Sequence, residues 1–240
     1  MSSVLRARLE VPFWCSFRDP TGVNVHTTFR LPPLTTLYGL VANAMGLSQD
    51  DYSLRPRLRF AVGIEEKGDL VETYSKIMKV REAKTPEEKA KPGNFYISTS
   101  VIKQKLIRPT FQFYMLSSPS VLEKINTALR EPARPLYLGE SDDVVDVIDP
   151  QIVTASTVES NRFNCAVPGI HAPHDAGQSA AVVNLPYHFV RRGRSDWQLL
   201  RRLYTYQLNS APLLLDGNQA AFDVEGKHIV FEPPIEEADA

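Results

Sequence analysis

The chain has 240 residues, 43% of them hydrophobic, with 27 Lys and Arg against 28 Asp and Glu for a formal net charge of −1. That length and composition suit one large globular domain, or a core with a smaller lobe, and exclude a disordered tail. No run of about eighteen apolar residues and no apolar leader is present, so neither membrane insertion nor export is expected and the cytoplasm is the expected compartment. Cys15 and Cys165 stand far apart and fit no metal-ligand spacing, which predicts reduced, partly buried thiols.

Residues 4–17, "VLRARLEVPFWCSF", begin by alternating Val4, Leu5, Ala7, Leu9 and Val11 with Arg6, Arg8 and Glu10, the pattern of a half-buried strand. Asp19-Pro20-Thr21-Gly22 reads as a turn and "VNVHTTFRL" as an extended return that stops at Pro32 and Pro33. Pro33 keeps the residue before it out of helical geometry, and Thr35 or Thr36 is then expected to cap a helix carrying Leu37, Leu40, Val41, Ala44 and Met45. Gly46 is its expected stop.

Two strand-like runs follow, "RPRLRFAVGIEE" and "LVETYSKIMKV", joined by a Lys67-Gly68-Asp69 turn. The polar stretch from Arg81 to Asn94 predicts a mobile basic loop or hairpin tip, and "FYISTSVIKQKLI" the strand that returns from it. Between residues 76 and 108 the cations Lys76, Lys79, Arg81, Lys84, Lys89, Lys91, Lys103, Lys105 and Arg108 outnumber Glu82, Glu87 and Glu88. Such a stripe suits a polyanion or a plain solvated face, and the residues alone leave both readings open.

"TFQFYML" is a further strand, "SVLEKINTALREP" a helix with Val121, Leu122, Ile125 and Leu129 on its apolar face, and "PLYLGESDDVVDVIDP" a glycine turn running into another strand. Strand, helix, strand, insertion, strand, helix, strand is the order of a ferredoxin-like α+β domain. We expect it over residues 1–150, with the basic insertion at about 70–108. Residues 151–240 are expected to form a small β-rich extension, with one short helical pattern near "SDWQLLRRLYTY". A second basic cluster, Arg191, Arg192, Arg194, Arg201 and Arg202, lies in it.

Three blocks in order, "RARLEVPFWCSFRDP", "LPPLTTLYGLVANAMG" and "RPLYLGESDDVVDV", resemble the Cas-five family of CRISPR-associated proteins, members of the RAMP superfamily. The resemblance spans roughly residues 4–150. It implies a subunit of a type I CRISPR effector, Cascade, that holds the five-prime handle of the CRISPR RNA (crRNA). The implied partners are that RNA, Cas-seven backbone subunits and the large Cascade subunit; target DNA near the PAM is left open, and no cofactor or metal is implied. It also makes the 70–108 insertion a thumb-like hairpin.

On this reading the expected RNA contacts are Arg18, Arg30, Thr35 and Thr36 around the double proline, Lys76, Lys79, Arg81, Lys103, Lys105 and Arg108 on the insertion, and Gly139. A helix start favours an anion, so the braked entry at Thr35 and Thr36 reads as a phosphate seat as well as a cap. Tyr74, Phe95 and Tyr96 are candidates for base stacking. The loop Leu138-Gly139-Glu140-Ser141 matches a family glycine loop that approaches RNA closely. Its neighbours Glu140, Asp142 and Asp143 make contact with a protein subunit an equal reading.

In the type I-C branch, resemblance implies RNA processing by a tyrosine, a lysine and a histidine. Here "VIKQKLIRPTFQFY" supplies Lys103 and Lys105 without a histidine, while Lys227-His228 lies in the extension. We therefore expect no catalysis, with Tyr38, Lys103 and His26 as the alternative set. His171 and His174, with Asp175, have spacing that zinc can use, yet the loop lacks a clear third ligand and favours a hydrogen-bonded pair.

Overall fold

The computed structural model describes residues 1–22, 24–49, 51–81, 95–175, 177–191 and 197–233. In chain order the strands and helices of the first half are β1 (Ser2–Glu10), β2 (Trp14–Cys15), β3 (Val25–His26), α1 (Leu34–Ala44), β4 (Arg59–Glu66), β5 (Asp69–Arg81), β6 (Phe95–Ile107), β7 (Thr110–Leu116) and α2 (Pro119–Arg130). The second half is all strand: β8 (Asp146–Phe163), β9 (Val167–Pro168), β10 (Ala180–Arg191), β11 (Trp197–Gln207), β12 (Leu213–Val224) and β13 (Lys227–Ile229). The fold is mostly β.

β1 sits inside a six-stranded sheet ordered β13-β12-β8-β1-β7-β4, antiparallel to both β7 and β8. Its alternation works as the sequence predicts. Leu5, Ala7 and Leu9 enter the main core, where Leu37, Leu40 and Val41 of α1 and Leu122, Ile125 and Leu129 of α2 meet them. Val4 joins a second cluster with Tyr114, Ala155, Val224, Ile229 and Phe231, so the strand is buried on both faces near its start. A bulge between Arg6 and Arg8 shifts its register against β8. Truncating a core leucine such as Leu37 removes about 2–5 kcal/mol in a site of this kind.

β8 runs through residue 150 without a break. Its first part, to Ala155, pairs with β1, and its second part, from Ser156 to Phe163, pairs with β12. Of the C-terminal strands, β12 and β13 thus extend the same sheet, while β10, β11 and β9 form a separate three-stranded one.

β5 and β6 form a long antiparallel ribbon from Asp69↔Ile107 to Arg81↔Phe95. Its base is held by β2, antiparallel to β6 at Leu106 and Ile107, and by β3, parallel to β6 at Ile102 and Lys103. Of the stretch from Arg81 to Asn94 expected as a mobile basic loop, Arg81 ends β5 and residues 82–94 lie outside the described residues. Those include Lys84, Lys89 and Lys91.

Two local expectations are corrected. The helical pattern near "SDWQLLRRLYTY" is strand β11 from Trp197 onward: it pairs with β10 along its length and with β9, which satisfies its backbone, and it buries Tyr204 and Tyr206 in the main core. The preceding Ser195 and Asp196 lie outside the described residues. At α1 the cap is Pro33, with no side-chain cap bond; Thr35 and Thr36 already belong to the first turn, and the amides of Thr36 and Leu37 donate to the Pro33 carbonyl at 2.9 and 3.1 Å. Extended Pro33 supplies the geometry that a hydroxyl cap usually accompanies.

The C-terminal end of the described chain is fastened by an ion pair. Arg55, 2% exposed, donates from Nη1 and Nη2 to the two carboxylate oxygens of Glu232, 1% exposed, both at 2.9 Å. Nη1 also donates to the Leu58 carbonyl and Nη2 to that of Tyr187, while the Phe60 amide donates to Glu232 Oε1. Among the described residues no helix is long and apolar enough to cross a membrane.

Candidate nucleic-acid interface

Four stretches meet at a cleft of about 450 Å³. The segment after β2 gives Ser16, Phe17, Arg18 and Pro20; the start of α1 gives Pro33, Thr35 and Thr36; the loop before β8 gives Gly139 and Glu140; and β10 and β11 give Pro186, Phe189 and Leu199. Arg18, Thr35, Thr36 and Gly139, named from the sequence as RNA contacts, therefore share one cavity. The positive end of the α1 dipole opens into it.

The glycine loop is built by an acid that points inward. Asp143 is fully buried, and its Oδ2 accepts the amides of Ser16 at 2.8 Å and Glu140 at 2.9 Å. The amide of Leu138 donates to the Asp143 carbonyl, closing the turn. Gly139 has φ +121, and a Cβ there would stand 2.6 Å from the Ser16 carbonyl oxygen and 2.9 Å from Asp143 Oδ2. Only glycine fits that approach. Burial pushes the Asp143 carboxyl above the usual carboxylate range, against the two amides and Lys105, which act the other way.

Two of the expected RNA contacts are tied to this loop. Lys103 Nζ donates to both carboxylate oxygens of Glu140 at 2.9 and 2.8 Å. Lys105 Nζ lies 3.7 Å from Asp143 Oδ1 and 4.9 Å from the centre of the Trp14 ring. Glu140, Asp142 and Asp143 bring carboxylate oxygens within 4.8 Å of one another, and these lysines lie against that trio. The carboxylates of Glu140 and Asp143 are thereby met by lysines, while Asp142 is exposed.

Arg18, in the cleft, is exposed, with Nη2 donating to the Gly22 carbonyl at 3.2 Å. The remaining candidates are scattered. Arg30 is half-buried near Tyr206 and does not line the cleft. Lys76 is exposed on β5, and Arg108 is exposed between β6 and β7 with φ +50. The side chains of Lys79, Arg81, Phe95 and Tyr96 lie outside the described residues; Tyr74 is 72% exposed on the ribbon.

Sequence reasoning missed Pro186, Phe189 and Leu199, since an apolar strand residue carries no local mark of the cavity it lines. Of the second basic cluster, Arg201 donates to Asp19 at 3.0 Å and Arg202 stacks 4.3 Å from the Tyr187 ring centre. Asp19 is partly buried, which alone would raise its pKa, but bonds from Thr21 and Arg201 hold it below the usual range. The Arg191 side chain, Arg192 and Arg194 lie outside the described residues. His171 bonds the Pro168 carbonyl and Gln219, while His174 bonds Asp216 at 2.8 Å, so the two rings serve separate partners. Tyr38 donates to the Asp51 carbonyl at 2.9 Å and is pushed up by burial.

The sequence matches the model of the family described as "CRISPR-associated protein (Cas_Cas5)" over residues 4–195. No curated protein is significantly similar to the chain in sequence. Among solved structures, a chain described as "CRISPR RNA-guided surveillance complex" is 16% identical, with a TM-score of 0.53 over 88% of this chain and 91% of that one. A CRISPR protein from Archaeoglobus fulgidus is 12% identical, with a TM-score of 0.49 over 95% and 97%. The first likeness shows a shared fold, and the family match decides membership. The protein belongs to the CRISPR-associated Cas5 family.

Proposed function

We propose that this chain is a non-catalytic, RNA-binding subunit of a type I CRISPR effector, acting in the cytoplasm, where it holds the five-prime handle of the crRNA and meets the Cas-seven backbone and the large subunit. The observation that carries this is the convergence of Arg18, Thr35, Thr36 and Gly139, from three separated segments, on one cleft in a protein of this family. A cation, two hydroxyls, a helix start and a backbone free of a side chain are what a phosphodiester needs. On the same reading, strands β8-β1-β7-β4, with α1 and α2 as crossovers, are the ferredoxin-like unit in fourth-first-third-second order. The β5–β6 ribbon is its thumb, and the strands after β8 leaves β1 are its extension.

The test is a gel-shift of labelled CRISPR-repeat RNA in EDTA with the purified full chain, together with co-expression with backbone subunits. Salt-sensitive binding without cleavage, and entry into a ribonucleoprotein, is the expected result. No binding at low salt together with failure to assemble would defeat the proposal.

One observation favours a second reading, an endoribonuclease that makes the guide. His26 and Lys103 are register partners across the parallel β3–β6 pair. Metal-independent cleavage needs a base and a cation side by side. Against it, His26 is only 5% exposed and Lys103 is engaged by Glu140. EDTA-resistant cleavage abolished by His26→Ala and by Lys103→Ala would establish this reading instead.

A further inference from the structure

Phe13 and Trp14 stand out among the large apolar side chains. They are 61% and 41% exposed, although the next residue, Cys15, is fully buried. Their rings lie 6.0 Å apart at 50°, so they present two differently oriented faces. This is no loose loop. The Arg108 amide donates to the Phe13 carbonyl at 3.0 Å, the Val11 amide donates to the Pro109 carbonyl at 3.1 Å, and Trp14 and Cys15 pair with Ile107 and Leu106. The aromatic pair is thus held on a rigid backbone, which lowers the ordering cost of binding.

Cations flank it. Lys105 Nζ sits 4.9 Å over the Trp14 ring, a cation–π contact, and exposed Arg108 adjoins Phe13 through the backbone bond just named. Arg108 keeps φ +50, a conformation that non-glycine residues adopt at a cost. The pair is also continuous with the cleft. Ser16, two residues after Trp14, lines it, and Lys105 bridges Trp14 to Asp143, the residue that shapes the glycine loop.

We propose that Phe13 and Trp14 form a stacking platform for unpaired bases of an RNA strand as it leaves the cleft, with Lys105 and Arg108 beside its backbone. This rests on the RNA-holding reading above. Exposed, fixed aromatics next to cations are the arrangement that binds single strands, because every base offers a ring face and every linkage a charge. RNA is favoured over a protein partner by those two cations and by the connection to the cleft.

The experiment uses the full chain and a labelled single-stranded CRISPR-repeat RNA. Trp14 and Trp197 are the chain's two tryptophans, so a Trp197→Phe background makes Trp14 the reporter. RNA is expected to quench its fluorescence. Trp14→Ala should weaken binding about tenfold, and Phe13→Ala/Trp14→Ala further, as base stacking predicts. The salt slope should stay unchanged, since an uncharged ring releases no counterions, and Trp14→Phe should restore most of the affinity. Both side chains are partly exposed, so the melting temperature should fall only slightly, by about the worth of the Trp14–Lys105 contact.

Wild-type affinity in Trp14→Ala would overturn the platform while leaving the RNA-holding reading intact. Loss of partner-subunit assembly with unchanged RNA affinity would overturn it in favour of a protein contact. Absence of RNA binding by the parent protein would instead defeat the broader reading on which it rests.

Discussion

Two ion pairs in this molecule use the same chemistry for opposite ends. Arg55–Glu232 is sealed in the core, at 2% and 1% exposure, with every strong bond directed at fixed backbone or at its partner. Lys103–Glu140 stands at 17% and 26% exposure on the rim of the cleft, anchored on one side by a strand and on the other by a loop. Burial makes the first a fastening that cannot open without stranding a charge. Water reaches the second, so an incoming phosphate can compete with Glu140 for the lysine at little cost. A pair found among candidate binding residues is therefore not evidence against binding; its solvent access decides whether it can be exchanged.

That contrast can be broken from the strong side first. Arg55→Ala is expected to cost about 3–5 kcal/mol, because it leaves the Glu232 carboxylate buried and unpaired; urea unfolding measures it, and a loss below about 1 kcal/mol would mean the pair is not sealed. Next, Asp143→Ala should cost about 2–3 kcal/mol by depriving the Ser16 and Glu140 amides of their acceptor. Asp143→Asn should recover most of that, since it keeps an oxygen and removes a charge that burial disfavours. Equal losses in both variants would assign the effect to charge rather than to hydrogen bonding.

On the open side, Lys103→Ala should change stability by no more than about 1 kcal/mol. Like Lys105→Ala and Arg108→Ala, it should weaken RNA binding and flatten the log affinity against log salt plot by about one unit per lost phosphate contact. Three unchanged slopes would move the phosphate path elsewhere. The smallest effect is the acid side of Asp19. Its folded pKa is depressed, so its contribution is present above the unfolded carboxylate range and fades as pH falls through the folded value. Asp19→Asn should flatten that part of the acid-unfolding curve slightly.

Much of this was legible in the residues, and the failures share a cause. β1 and both helices announce themselves by the period of their buried residues, and the ribbon strands by strand-forming runs on either side of turn signals. β11 does not: "WQLLRRLYTY" carries leucines at helical spacing, and it is pairing with β10, the strand just before it, and with β9 that makes it a strand. The double proline foretold the entry to α1 but not its cap, since Pro33 supplies the extended geometry itself. Gly139 could be picked out as a glycine in an acidic loop, yet the reason for that acidity, Asp143 turned inward to hold Ser16, depends on residues more than a hundred positions apart. Charges read along a sequence as one basic stripe are divided by the fold into paired lysines and exposed ones.

The most direct test of the central claim is crosslinking of photoreactive CRISPR-repeat RNA to the full chain, with the attachment points mapped by mass spectrometry. The account predicts crosslinks in the peptides holding Ser16–Arg18, Pro33–Thr36 and Gly139–Glu140, which line one cleft. Crosslinks confined to other surfaces, with these three peptides unmodified, would contradict it.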